Sequence, residues 1–169
     1  MTARIRISSP TLACTMLAVT LLASSLGART QEPSAGTTAN DVIFARKALK
    51  DAACDRMADI ERMIAGGRVD LDRVRDEAGA IAAMLTAFPH LFPPSSNRWK
   101  PDDNQDPATA TLAAPELWSD FPNFYQQATS AAHSAFELSR ARNVEDVKTR
   151  ARELRIACDT CHALYLEEP

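Results

Sequence analysis

Apolar positions along this 169-residue chain recur at spacings of three and four, in four separate stretches. Such spacing lines side chains along one face of an α-helix. The first stretch runs from about Asn40 to Ile64, with Leu49, Ala53, Met57, Ile60 and Ile64 in line and Gly66 and Gly67 as a stop. The second runs from about Asp70 to Phe88, carrying Leu71, Val74, Ala78, Ile81, Leu85 and Phe88. Asp70 suits its N-cap and Pro89 its end. The third follows PELWSDFP and carries Phe121, Phe124, Ala128, Ala131, Ala135 and Leu138. The fourth opens at Asn143, a good cap, and its stripe is Val144, Val147, Ala151, Leu154, Cys158, Cys161 and Tyr165. No stretch alternates with period two, and no segment repeats. The pattern predicts an all-α chain, an antiparallel four-helix bundle. Two of its connections are short. Between helices two and three, HLFPPSSNRWKPDDNQDPATATLAAPELW is a long loop without periodicity. Its two tryptophans and FPP turn favour a loop that packs over something.

The N-terminus reads differently. Arg4 and Arg6 precede an apolar run, TLACTMLAVTLLASSLG, that ends in small residues with a cleavage point after Ala28. Residues 1–28 are therefore expected to be a secretory signal and residues 29–39 a flexible lead-in. Residues 40–169 are left as the helical domain of a periplasmic protein. Hydrophobic residues make up 46% and charged residues 24%, the composition of an ordinary globular domain. The formal net charge is −3, with no cluster of Lys and Arg among aromatics, which argues against nucleic acid as a partner. Four cysteines are present. Cys14 lies in the apolar run and leaves with the signal; Cys54, Cys158 and Cys161 stay. A domain of this size needs no disulfide framework to fold, so these thiols need another explanation.

CDTCH, at residues 158–162, supplies one. Two thiols at i and i+3 on a helix can each add to a vinyl group of one haem, and the following His162 can then ligate the iron. Such attachment follows export, in agreement with the signal. A zinc site is disfavoured because His90 and His133 form no second ligand pair. A thioredoxin-like CxxC is disfavoured because that motif starts a helix after a strand. The expected cofactor is one haem c, covalent through Cys158 and Cys161, with His162 as the iron ligand.

The chain resembles the class II cytochromes c, that is cytochrome c′ and its low-spin relatives. The residues that carry the likeness are IFARKALK in helix one, LFPP after helix two, APELWSDFPNF entering helix three, and CDTCHALY. The resemblance implies that Arg46 lies near the haem propionates; an ordinary solvated charge is the alternative. It implies that Trp118 and Phe124 pack near the haem and the core. The position four beyond the arginine faces the open side of the iron. An apolar residue there admits small gases, and a methionine there makes a low-spin electron carrier. This chain has Lys50 instead. Lys50 could reach the propionates or solvent, could yield to Leu49 as an apolar shield, or could ligate iron. Ligation needs the neutral amine, which costs about 4–5 kcal/mol at neutral pH. Met57 is expected in the core. Cys54 is expected to be a small buried hydrophobe, the alternative being a reactive or intersubunit thiol.

The expected function is single-electron transfer with periplasmic redox proteins. The alternative is reversible binding of a small gas, nitric oxide or carbon monoxide, at an open iron site. A non-haem helical binding module is the more distant reading. No nucleophile–base set, carboxylate pair or phosphate loop suggests an enzyme. A homodimer through helix one is a further expectation of the resemblance.

Overall fold

The computed structural model describes residues 36–100 and 110–167. The export signal read over residues 1–28 lies outside the described residues. Helix α1 spans Ala39–Ala65, α2 Leu71–Ala87, α3 Glu116–Ser119, α4 Phe121–Ser139 and α5 Val144–Tyr165. Two 3₁₀ turns, Phe88–Leu91 and Pro94–Ser96, follow α2. The four long helices are the expected antiparallel bundle. The one-turn α3 falls within the expected loop, being too short to show a period. Among the described residues there is no strand, only an isolated antiparallel bridge between Ala113 and Leu166.

Each long helix starts on a side chain that takes up a free N–H. Thr38 accepts from Asp41 N while Asp41 accepts from Thr38 N at 2.8 Å, a reciprocal capping box. Asp70 caps α2 through Arg73 N, and Asn143 caps α5 through Asp146 N. Pro122 enters the first turn of α4, where a missing N–H costs nothing. The end of α1 is a Schellman turn: Arg68 N–H donates to Met63 O and Gly67 N–H to Ile64 O. Gly67 sits at φ 65°, the left-handed region.

The buried faces are the periodic ones. Val74, Ala78, Ile81 and Ala82 of α2 meet Ala135 and Leu138 of α4, Val147, Ala151 and Leu154 of α5, and Met57 and Ile60 of α1. Each large aliphatic group removed from water there contributes about 1.5–3 kcal/mol. The many alanines on α2 and α4 let these two helices pack extensively. α4 also packs on α5, and α1 on α2. A second cluster, at the loop end, is aromatic: Phe92, Leu117, Phe124 and Tyr165, with Phe88, Phe121 and Trp118 against it. Phe92 and Phe124 meet edge to face with centroids 4.8 Å apart. α1 and α5 touch only sparsely. Leu49 and Ala53, read as core from their spacing, are accordingly only half-buried.

A side chain at Gly67 would meet nothing within 4 Å, so replacing it tests the backbone alone. Gly67→Ala should lower stability by about 1 kcal/mol, the cost of a left-handed non-glycine residue. Urea unfolding reads this directly; an unchanged midpoint would mean the turn does not take this form.

Candidate functional site

Where α1 and α5 fail to meet, a cavity of about 640 Å³ opens. That is the size of pockets that hold small ligands or cofactors. Its walls are mostly apolar, from Ile81 and Leu85 of α2 to Phe124 and Ala131 of α4. The five residues singled out from the sequence, Arg46, Lys50, Cys158, Cys161 and His162, all line it. The structure thus brings α1 and the end of α5 to face each other across one space.

On the α5 wall, Cys158 and Cys161 stand one turn apart, both half-buried and both free thiols. Cys158 packs against the aliphatic cluster and Cys161 against the aromatic one. Burial pushes the Cys161 thiol up to about 11, with Cys158 adding to the rise. Burial also raises Cys158, against a smaller opposing pull from Arg155. A redox-active CxxC depends on a depressed thiol, and these are raised. His162 is half-buried, and burial holds its imidazole below the usual range. Asp159 opposes that shift, while Lys50 and Arg155 add to it. The neutral imidazole that results is the form that binds metals.

On the α1 wall, Arg46 is only 3% exposed, so it is not the solvated charge that was the alternative reading. Its guanidinium donates to Ser96 Oγ at 3.0 Å, Ser96 O at 3.3 Å and Thr111 Oγ1 at 2.6 Å. Its Cζ lies 4.7 Å from the Phe92 ring centroid and 5.5 Å from that of Trp118. No carboxylate among the described residues pairs with it. Burial without a counter-charge pushes it down to about 10. An anion placed beside Arg46 would relieve that cost.

One turn on, Lys50 also faces the cavity, with Nζ 2.8 Å from Asp51 and its side chain 44% exposed. Met57 is 4% exposed and sits in the aliphatic core as expected. Cys54 is exposed at the cavity edge, which corrects the expectation of a buried hydrophobe. The helix turns it past the core-facing stripe of Met57 and Ile60. Trp118 stands behind the cavity, its Nε1 donating to Phe92 O at 3.1 Å. His90 and His133 lie on the surface, away from the site.

Several site residues carried no sequence signal. Ser96 and Thr111 hold Arg46 from an aperiodic loop. Arg155 of α5 grips Glu61 of α1 through two bonds of 2.8 and 2.9 Å, tying the walls together below Cys158. Spacing from Cys158 hints at Arg155; nothing local points to Glu61.

A haem attached through CxxCH needs two thiols one turn apart, a neutral imidazole next to them, dry walls and a cation for its carboxylates. The residues around this cavity fit each need.

Residues 41–165 match the sequence profile of the family described as Cytochrome C′. Among curated protein sequences no relative matches the chain. Solved structures do. Cytochrome c′ from Thermochromatium tepidum superposes with a TM-score of 0.68 at 24% identity, covering 78% of this chain and 98% of its own. A cytochrome c′ described as having an unusual ligand-controlled dimer dissociation gives 0.67 at 23%, covering 79% and 100%. The nitric oxide complex of a mutant cytochrome c prime from Alcaligenes xylosoxidans gives 0.67 at 15%, covering 79% and 99%. At these identities the likeness concerns the fold.

The hold on Arg46 can be tested apart from any cofactor. Thr111→Val should lower stability by about 1–3 kcal/mol, because a buried charged donor loses its acceptor. Thr111→Ser, which keeps the hydroxyl, should recover most of it in the same unfolding assay. Equal losses in both would assign the effect to packing instead.

Proposed function

Because the chain belongs to the cytochrome c′ family, we propose that it is an exported cytochrome carrying one haem c and working in single-electron transfer in the periplasm. The observation that carries the reading is the placement of CxxCH on the wall of a cavity whose other wall holds a buried, carboxylate-free Arg46. Cys158 and Cys161 would each add a thiol across a vinyl double bond, sulfur to one carbon and hydrogen to the other, without net oxidation. His162 would give its neutral ring nitrogen to the iron. Arg46 would balance a propionate, and the apolar walls would keep water out. When bound, the group supplies a one-electron iron couple, whose potential the protein tunes through ligand, burial and charge.

Reversible binding of a small gas is the second reading, and the α1 wall favours it. That wall presents Leu49, Lys50 and Ala53 to the cavity; Met57 borders it as well, but is 4% exposed and packed in the aliphatic core. The nitric oxide complex of the Alcaligenes xylosoxidans protein supports the same reading by analogy of fold. A homodimer through helix one is supported by Phe44, which stands 70% exposed on α1, and by the dimer described for one structural neighbour.

Expression in a host that attaches haem c provides the test. The wild type should keep its haem through denaturing electrophoresis, and the double variant Cys158→Ala, Cys161→Ala should lose it. A ferrous spectrum that shifts with carbon monoxide would favour gas binding; a low-spin spectrum that ignores the gas would favour electron transfer alone. A colourless wild type, in a host that loads another CxxCH protein, would overturn the haem reading.

A further inference from the structure

Resting on the haem reading, the α1 wall also bears on what the open side of the site binds. Arg46 and Lys50 are four residues apart, so they share a face of α1. Arg46 is buried into the wall, and Lys50 therefore reaches the same cavity one turn further on. His162 lines the opposite wall, on α5. Of the α1 residues beside Lys50 in the lining, Leu49 and Ala53 have no polar side-chain atom, whereas Lys47 and Cys54 do.

Two more observations give this placement a chemical sense. The described residues that line the cavity include five bases, Arg46, Lys47, Lys50, Lys100 and Arg155, and no Asp or Glu. A cleft lined by one sign of charge with apolar walls focuses its field on the opposite charge. Of these, Arg155 is held by Glu61 and Lys50 pairs with Asp51, and neither carboxylate lines the cavity. Second, the partner of Lys50 is weakly held. Asp51 is its immediate chain neighbour, and the two side chains are 44% and 63% exposed. An exposed pair of this kind is screened by solvent and contributes little. Lys50 Nζ can therefore exchange Asp51 for another acceptor.

We propose that the face of the site opposite His162 takes a small monoanion, such as azide, fluoride or nitrite, and that Lys50 Nζ donates a hydrogen bond to it. Lys50 is then a specificity-determining residue. An apolar side chain in its place suits neutral gases, whereas the ammonium favours charged ligands. Asp51 releases the ammonium when the anion arrives and is solvated in turn. No bond of the polypeptide is made or broken.

The test is a spectroscopic titration of the ferric holoprotein with sodium azide at fixed ionic strength, on protein first shown to carry haem. Carbon monoxide titration of the ferrous form serves as the neutral reference. Lys50→Leu should weaken azide binding at least tenfold, the usual loss of a charge-assisted hydrogen bond, while carbon monoxide affinity stays the same or rises. Lys50→Arg should retain most azide affinity. Lys47→Leu, which removes the same charge from the same cavity without the proposed hydrogen bond, should cost less than Lys50→Leu. Equal azide affinity in wild type and Lys50→Leu would overturn the proposal. So would equal losses in Lys47→Leu and Lys50→Leu, which would assign the effect to the general field. A wild type that is low-spin without added ligand and becomes high-spin in Lys50→Leu would make Lys50 itself the iron ligand, and the anion site would fall while the haem reading stood. Protein without haem would sink the underlying reading instead.

Discussion

The wall between α1 and α5 is held by a few polar ties rather than by interdigitated side chains, and the rest of the molecule is arranged around that gap. Close-packed interiors leave few voids larger than a water molecule, so a cavity of about 640 Å³ must be supported from outside. Support comes from the other three helix contacts. α2 and α4 meet through alanines and bury the aliphatic core without help from the fourth face. At one end of the gap, Arg155 and Glu61 fix the spacing with a forked ion pair. At the other, the bridge between Ala113 and Leu166 ties the end of α5 to the loop. The bundle can therefore give up packing on one side and still hold its shape.

Within that frame the loop between α2 and α4 acts as part of the binding wall. Its 3₁₀ turns and the one-turn α3 carry the aromatic cluster, and they also bring Ser96 and Thr111 onto Arg46. A buried guanidinium held only by neutral acceptors is a costly arrangement in the absence of an anion. It is tolerable because the aromatic faces of Phe92 and Trp118 and three hydrogen bonds share the charge. A dianionic group placed against it would make it favourable.

The stripes on α2, α4 and α5 were legible because those helices bury one continuous face, and burial of one face is what produces the three-four spacing. The caps Asp70 and Asn143 were legible because capping depends on a local side chain. α1 was read less well. Leu49 and Ala53 keep the core spacing but border the gap, while Cys54 lies past the stripe and is exposed. Apolar periodicity reports that a face is covered, and it cannot say whether protein or cofactor covers it. The partners of Arg46 were not legible at all. Ser96 and Thr111 lie 50 and 65 residues away and are of types common in any loop. CxxCH stood out for the opposite reason, since its chemistry needs fixed residues within one turn.

The two cysteines of that motif rest on different parts of the interior. Cys158 touches the aliphatic cluster and Cys161 the aromatic one. Parts of a protein interior that nothing ties together can open separately. A rigid planar group bonded to both sulfurs would span the divide, so that neither half could loosen without straining the other. Covalent attachment at this seam would couple the two clusters into one cooperative unit. It would do so whatever the concentration of free cofactor, because a bonded group does not dissociate from the unfolded chain.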